Sequence, residues 1–391
     1  MTDTQATTLA LAKQLIACRS VTPDDDGSLA LVAARLSSAG FACERIERNG
    51  VSNLWAHHGT GAPLVCLAGH VDVVPAGPLE QWSAPPFDAV ERDGFLIGRG
   101  AADMKASVAA MVTAAERIAR SEPSHHGSVA ILLTADEEGD ALHGTVAVVD
   151  ALRARGTRLD YCLVGEPTSA TQFGDTVKIG RRGSLNGMLR VKGVQCHVAY
   201  PERGRNPIHD AAPALAELSA MQWDAGNDDF GPTTFQISTI HAGTGAPNVV
   251  PGTLEVQFNL RFSPQSPAPR LQERVREVLD RHGVEYDLTW TVSAEPFMTP
   301  GGELVEAVRE AVMRETGVTA TLSTSGGTSD GRFLATLAEQ VVEFGPMNDT
   351  IHKIDERVAV ADLGSLSAIY ERVMRRLIGL TGPRAHEDGA S

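Results

Sequence analysis

Apolar runs and helix-period stretches alternate from residue 4 to about 180, a pattern that predicts an α/β domain. Four of the apolar runs finish on a carboxylate or a histidine: PLVCLAGHVD on His70 and Asp72, SVAILLTADEE on Glu137 and Glu138, YCLVGEP on Glu166, and EQVVEFGPMNDTIH on His352. Short runs rich in Val, Ile and Leu and bounded by Gly and Pro read as strands buried on both faces of a parallel sheet. Ligand sites in open α/β sheets gather at the carboxyl ends of the strands, so this sheet is expected to deliver a histidine-carboxylate cluster to one edge.

In GRGAADMKASVAAMVTAAERIAR the Ala, Val and Met positions recur without a breaker, which predicts a helix from near Lys105, with Asp103 just ahead of it in a position suited to capping. The pattern changes over residues 181–295. Over GRRGSLNGMLRVKGVQCHVAY a strand leads into a helix over NPIHDAAPALAELSAM, followed by strands over TTFQISTIHAG and GTLEVQFNLRF. A helix over SPAPRLQERVREVLDRHG and a strand over EYDLTWTVSAEPF complete it. This β-α-β-β-α-β order is the split βαβ arrangement and reads as an inserted domain. The α/β rhythm then resumes through helices over GELVEAVREAVMRETG and DLGSLSAIYERVMRRLIGL. Residues 1–180 and 296–391 are therefore expected to form one discontinuous domain, since His352 has to join a site whose other members precede residue 170. The tail PRAHEDGAS has no apolar period and is expected to fray.

Composition narrows the function classes. A net charge of −15 with no long basic run argues against a nucleic acid or an anionic membrane surface as partner, so an anionic small molecule would need local arginines. No run of about 18 uncharged apolar residues predicts a transmembrane span. The first helix carries Asp3 and Lys13 and reads as amphipathic, not as a targeting segment. Cys18, Cys43, Cys66, Cys162 and Cys196 are scattered, odd in number and without a CxxC pair, as expected of reduced thiols in the cytoplasm.

His70, Asp103, Glu138, Glu166 and His352 supply five imidazole and carboxylate ligands, too many for one tetrahedral zinc that must keep a place for water. Five suit two ions if one carboxylate bridges ions held roughly 3.5 to 4 Å apart, and Asp103, on a loop between strands, is the candidate bridge. Glu137 and Glu138 are adjacent at a strand end and should point to opposite sides of the backbone. Glu138 can then ligate while Glu137, free of metal and hence more basic, does the acid-base work. Asp72, two residues beyond His70 and on the same side of the strand, can accept the imidazole's other N–H and fix its tautomer. Cobalt or manganese could occupy the same oxygen-rich positions. The other histidines, His57, His58, His125, His126, His143, His209, His241, His282 and His386, read as solvated or structural groups in polar loops or helices. GRGAADMK lacks the spacing of a phosphate-cradling loop, and STSGGTSDGRF that of a dinucleotide fingerprint.

GHVDVVP, GRGAADMK, TADEE, VGEP and IHK resemble the metal motifs of the dinuclear zinc deacylases and exopeptidases, a family that includes aminoacylases, acetylornithine deacetylase and carboxypeptidases of the same fold. QWSAPPF, GRRGSL, HVAYP, RNPIHD, IHAGTG, NVVP, FNLRF, GGTSDGRF and VEFGPMNDTIHK extend the resemblance over nearly the whole chain. It implies a zinc-exopeptidase-like catalytic domain with a central mixed, mainly parallel sheet. To this it adds an inserted ferredoxin-like domain that pairs two subunits and serves as a lid. Two zinc ions per subunit are implied, one on His70 and Glu166, the other on Glu138 and His352, with Asp103 bridging them and a cis peptide between Asp103 and Met104.

His197 is implied to reach the partner subunit's active site and donate to the oxyanion. Arg181, Tyr200, Asn248, Arg261, Thr328 and Asn348 are implied to hold substrate. The implied activity is hydrolysis of N-succinyl-L,L-2,6-diaminopimelate to succinate and L,L-2,6-diaminopimelate, on the way to lysine and cell-wall precursors. That substrate carries several carboxylates, which suit Arg forks and amide donors. Deacetylation of acetylornithine, a broader aminoacylase activity, a single-metal peptidase and a catalytically silent metal-binding protein are the alternatives. Cys196 stands where relatives commonly carry glycine, so a left-handed backbone there would be strained.

Overall fold

The computed structural model describes residues 2–380, which divide into two compact units; the tail PRAHEDGAS, with His386, lies outside the described residues. One unit runs through Gly180 and takes in Met298–Ser323 and the chain from Ser329; the other is Arg181–Phe297 with Thr324–Thr328. Periodicity alone groups Thr324–Thr328 with the first unit. Its contacts run to the second, where Thr324 Oγ1 donates to the Asp229 carbonyl and Arg181 Nη1 donates to the Ser325 carbonyl.

The first unit is built on a seven-stranded mixed sheet around Val51–His70. That strand folds back near Gly59 and Gly61, whose φ of +89° and +87° only glycine adopts freely. Against its neighbour His126–Thr134, the registers Leu54↔Leu133 and Trp55↔Leu132 consequently run one way and Leu67↔Ile131 and His70↔Thr134 the other. Leu159–Val164 and Ala338–Glu343 continue the sheet in parallel, aligned at Ala68↔Val164 and Val164↔Glu343. Ala42–Arg48 closes one side antiparallel, and Thr176–Lys178 with Thr321–Ser323 closes the other. His126–Thr134 is buried at every position after His126, as a strand covered on both faces must be. His70, Thr134, Val164 and Glu343 thus end their strands side by side.

Ala106–Ser121 packs against Val360–Leu377 and Asp3–Ala17. Its alanines leave little side chain between it and its neighbours, which is why almost the whole helix is buried. The hydroxyls this close packing traps satisfy one another: Thr113 Oγ1 lies 3.0 Å from Thr8 Oγ1 and 2.9 Å from Ser367 Oγ. Among the described residues, no helix is long and apolar enough to cross a membrane.

The second unit is a four-stranded antiparallel sheet in the order Thr234–Ala242, Thr253–Phe262, Gly183–Lys192, Tyr286–Ala294. Pro207–Ala220 and Ala268–Arg281 lay their apolar stripes on one sheet face, burying Ala214, Leu218, Leu271 and Val275 against Leu185, Leu189, Val256 and Phe258. This is the ferredoxin-like β-α-β-β-α-β order, with alternating burial along Gly183–Lys192 and Thr253–Phe262. Gly187 and Gly183 stand opposite Phe258 and Phe262. A Cβ at either glycine would meet the facing ring at 2.2 Å or 2.4 Å, so the phenyl groups occupy the space that side chains would fill. Gly187→Ala is expected to destabilise this unit by about 1–3 kcal/mol through overpacking, read as a lower urea midpoint; an unchanged midpoint would show that the ring moves aside without cost.

Candidate metal centre

The aligned strand ends, and the loops leaving them, bring the five predicted ligands together. His70 is the last residue of its strand, and Glu166 follows just after Val164. Asp103 sits on the tight turn Ala101–Lys105 that leads into the helix Ala106–Ser121, and its peptide bond to Met104 is cis. His70 Nε2 lies 3.1 Å from Asp103 Oδ1 and 3.9 Å from Glu166 Oε1. His352 Nε2 lies 3.0 Å from Glu138 Oε1 and 3.5 Å from Asp103 Oδ2. The ligand atoms of His70, Asp103 and Glu166 fall within 4.8 Å of one another, and so do those of Asp103, Glu138 and His352. Asp103 belongs to both groups and turns one oxygen to each. The donor set fits a pair of ions: each group offers one imidazole nitrogen and carboxylate oxygens, a mixture zinc accepts, and a shared carboxylate can span two neighbouring ions.

The electrostatics are those of imidazoles and carboxylates competing for protons. Burial opposes a proton on His70, yet the hydrogen bond to Asp103 and the charges of Asp103, Asp72 and Glu166 raise its pKa well above the usual imidazole value. Hydrogen bonds to Asp103 and Glu138 lift His352 to about 10. Burial would raise the Asp103 carboxyl, but bonds from His352 and His70 outweigh it and hold the group ionised. Beside them, burial and the nearby Glu166 carboxylate push the half-buried Glu137 well above the usual carboxylate range.

Several placements differ from the sequence reading. The strand His126–Thr134 stops short of Glu137 and Glu138, which lie on the following loop. That loop is held by Asp72, whose Oδ1 and Oδ2 accept the N–H groups of Glu137 and Glu138 at 3.3 Å and 3.1 Å. The Asp72 carboxylate is therefore engaged elsewhere, 3.7 Å from His70 Nδ1, and the imidazole meets the Asp72 main-chain carbonyl at 2.9 Å instead. The chain has left the strand after His70, so side-chain alternation no longer brings the two side chains together. Asp103 does not cap the helix, because its oxygens face the two imidazoles. His352 lies on a loop beyond the strand end at Glu343, with a left-handed φ of 61°. His57, His58, His126 and His241 sit on strands, not in loops, and His58 Nδ1 lies 3.1 Å from His125 Nε2.

Asp136 and Asp330 are buried carboxylates that the sequence reading does not single out, although each stands in a quoted motif. Asp136, beside the glutamate pair, accepts the N–H groups of Leu142 and His143 at 3.0 Å and 2.9 Å and so closes the loop after Glu138. Asp330, in TSDGRF, accepts the Thr145 hydroxyl at 2.6 Å, and burial raises it to about 6.

The residues expected to hold substrate fall in both units. Asn348 belongs to the first, where its N–H donates to the Ser169 carbonyl at 3.0 Å. Arg181, His197, Tyr200, Asn248, Arg261 and Thr328 belong to the second. There the exposed His197 and Tyr200 rings lie 5.8 Å apart, and the Asn248 carbonyl accepts the Val198 N–H at 3.0 Å. Arg181 is buried, and Arg261 is half-buried on its strand opposite Ser184. Cys196 has no left-handed backbone: it pairs with Val250 in an extended bridge, and Gly204 makes room for its thiol, since a Cβ there would lie 2.4 Å from Sγ.

Comparison with known proteins gives this geometry a lineage. Residues 66–376 match the model of peptidase family M20/M25/M40. A curated succinyl-diaminopimelate desuccinylase from Aromatoleum aromaticum is 60% identical over 371 residues, covering 95% of this chain and 97% of the relative. Another of the same name, from Thiobacillus denitrificans, is 58% identical over 377 residues, 96% of each chain. Among solved structures, an M20 family metallo-carboxypeptidase from Sulfolobus solfataricus superposes with a TM-score of 0.80 at 16% identity, covering 97% of this chain and 100% of the other. A tripeptidase from Staphylococcus aureus gives 0.78 at 20%, covering 96% and 99%. By its sequence match and its fold, the chain belongs to peptidase family M20/M25/M40.

Proposed function

We propose that the chain hydrolyses the succinyl amide of N-succinyl-L,L-2,6-diaminopimelate, giving succinate and L,L-2,6-diaminopimelate. The observation that carries this reading is the pair of histidine-carboxylate triplets sharing Asp103, with Glu137 outside both, in a chain so close over at least 95% of its length to relatives named for that reaction. His70 and Glu166 would hold one zinc, Glu138 and His352 the other, and Asp103 both. Bound there, the ions would supply the Lewis acidity that polarises the amide carbonyl and acidifies water.

The chain's own groups do the rest. Glu137, with a raised pKa, accepts the attacking water's proton and returns it to the leaving amine. The Asp72 carboxylate keeps Glu137 in place by accepting the Glu137 main-chain N–H, and the Asp72 carbonyl keeps His70 in one tautomer. Arg181 and Arg261 offer guanidinium forks for substrate carboxylates, and Tyr200, Asn248, Thr328 and Asn348 offer neutral polar groups. In this reading the second unit pairs two subunits and acts as a lid, and His197 of one donates to the oxyanion in the other's site. Cobalt or manganese would substitute for zinc. The cytoplasm is the fitting compartment, since Cys18, Cys43, Cys66, Cys162 and Cys196 are all free thiols.

The direct test is turnover of N-succinyl-L,L-2,6-diaminopimelate by metal-stripped protein titrated with zinc, with N-acetylornithine alongside. Zinc-dependent cleavage of the succinyl compound is expected; preference for the acetyl compound would overturn the substrate, and silence on both would overturn the activity. Glu137→Gln is expected to lower kcat by about 10²–10⁴-fold while zinc content stays unchanged, and near-normal turnover would remove Glu137 from the acid-base role.

Zinc uptake should also release protons from His70 and His352, so affinity falls as pH falls. For the metal-free protein, the raised pKa of His352 contributes stability that is fully present below about pH 6.5 and is lost as pH rises through about 10. Zinc-loaded protein should lack that loss. Thermal midpoints across this range, with zinc or with a chelator, would separate the two, and parallel curves would count against the imidazoles as ligands.

A further inference from the structure

We infer that Glu356 is a positioning residue for Asp103, a role that rests on reading the ligand cluster as a metal site. Glu356 is fully buried and follows His352 on the same loop. Its Oε2 accepts from Arg99 Nη1 at 2.6 Å and from the Gly100 N–H at 3.0 Å. Its Oε1 accepts the N–H groups of Ala102 and Asp103, each at 2.9 Å. Its main-chain carbonyl takes the Gly98 N–H at 2.9 Å. The carboxylate thus fills a ring of main-chain donors formed by the turn that carries Asp103, and successive N–H groups curved around an anion fix a backbone tightly.

Arg99 extends the tie. It is buried with Glu356, and the same Nη1 donates to the Lys353 carbonyl at 3.2 Å, next to His352. The pair therefore locks together two segments, distant in sequence, whose side chains meet where His352 Nε2 and Asp103 Oδ2 stand 3.5 Å apart. A buried ion pair by itself is a poor source of stability, because desolvation offsets the attraction. What this one does well is hold direction: the carboxylate accepts four hydrogen bonds, and three of the four come from main-chain N–H groups of Gly100, Ala102 and Asp103, on the Asp103 turn or immediately before it. Groups that orient metal ligands typically change metal affinity by about 10–100-fold when altered.

The test uses the full chain with Glu356→Gln, which removes the charge facing Arg99, and Glu356→Asp, which keeps the charge but withdraws the carboxylate by one methylene. Zinc affinity would be measured by competition with a chromophoric chelator, together with thermal unfolding of the metal-free protein and the visible spectrum of the cobalt-loaded form. Either variant that folds is expected to bind zinc about 10–100-fold more weakly, to show an altered cobalt spectrum, and to regain activity at raised zinc. Unchanged affinity and spectrum in a folded variant, or failure of both variants to fold, would make Glu356 a folding residue only and overturn the proposal. Wild-type protein that takes up no zinc would overturn the metal reading and this inference with it, so the two failures are distinguishable.

Discussion

One carboxylate, Asp103, has to face two imidazoles at once, and much of the first unit can be understood as what that demands. His70 comes from a strand end, His352 from a loop nearly three hundred residues later, and Asp103 from a turn between strand and helix. No local stretch of sequence could bring these together. The parallel register supplies the common edge, because it ends Val51–His70, His126–Thr134, Leu159–Val164 and Ala338–Glu343 together, and the turn that carries Asp103 comes to it from the short strand Phe95–Ile97 outside that sheet.

Concentrating carboxylates at that edge is costly in a chain already at −15. The structure answers with a repeated device. Asp72, Asp136 and Glu356 are buried, and each directs its oxygens at main-chain N–H groups, of Glu137 and Glu138, of Leu142 and His143, and of Gly100, Ala102 and Asp103. Charge-assisted bonds of this kind compensate desolvation and, in the same stroke, stiffen the loops that carry Asp103, Glu137 and Glu138. Loops with no regular secondary structure thereby acquire the precision that a reactive site needs.

How far the chain could be read in advance follows from this division. The strands were legible because apolar runs such as SVAILLT signal burial on both faces, and the ligand types were legible because they stand where those runs stop. The β-α-β-β-α-β order was legible from periods alone. Loop geometry was not. Asp72 looked like a side-chain partner of His70 under strand alternation, but the strand ends at His70 and the alternation ends with it. Asp136 and Glu356, bound to main-chain N–H groups, and Asp330, bound to the Thr145 hydroxyl, have no periodic signature, and only burial in three dimensions distinguishes them from solvated charges. The grouping of Thr324–Thr328 was missed for a similar reason, since a Gly-rich stretch has no apolar period to show which core it serves.

The same division bears on substrate. Structures named as a carboxypeptidase and a tripeptidase share this fold at 16% and 20% identity, so the fold leaves the choice of amide open. Ligands that only hold ions and a base that only moves a proton are indifferent to what lies beyond the scissile bond. Discrimination has to come from groups that touch the rest of the substrate, and a deacylase acting on a molecule with several carboxylates needs cations that do not belong to the metal cluster. Arg181 and Arg261 are of the right type, and they belong to the second unit, whose β-α-β-β-α-β core is built independently of the sheet that carries the ligands. Close identity over 95% of the chain therefore says more about the substrate than the shared fold does, because it extends well beyond the residues gathered at the strand ends.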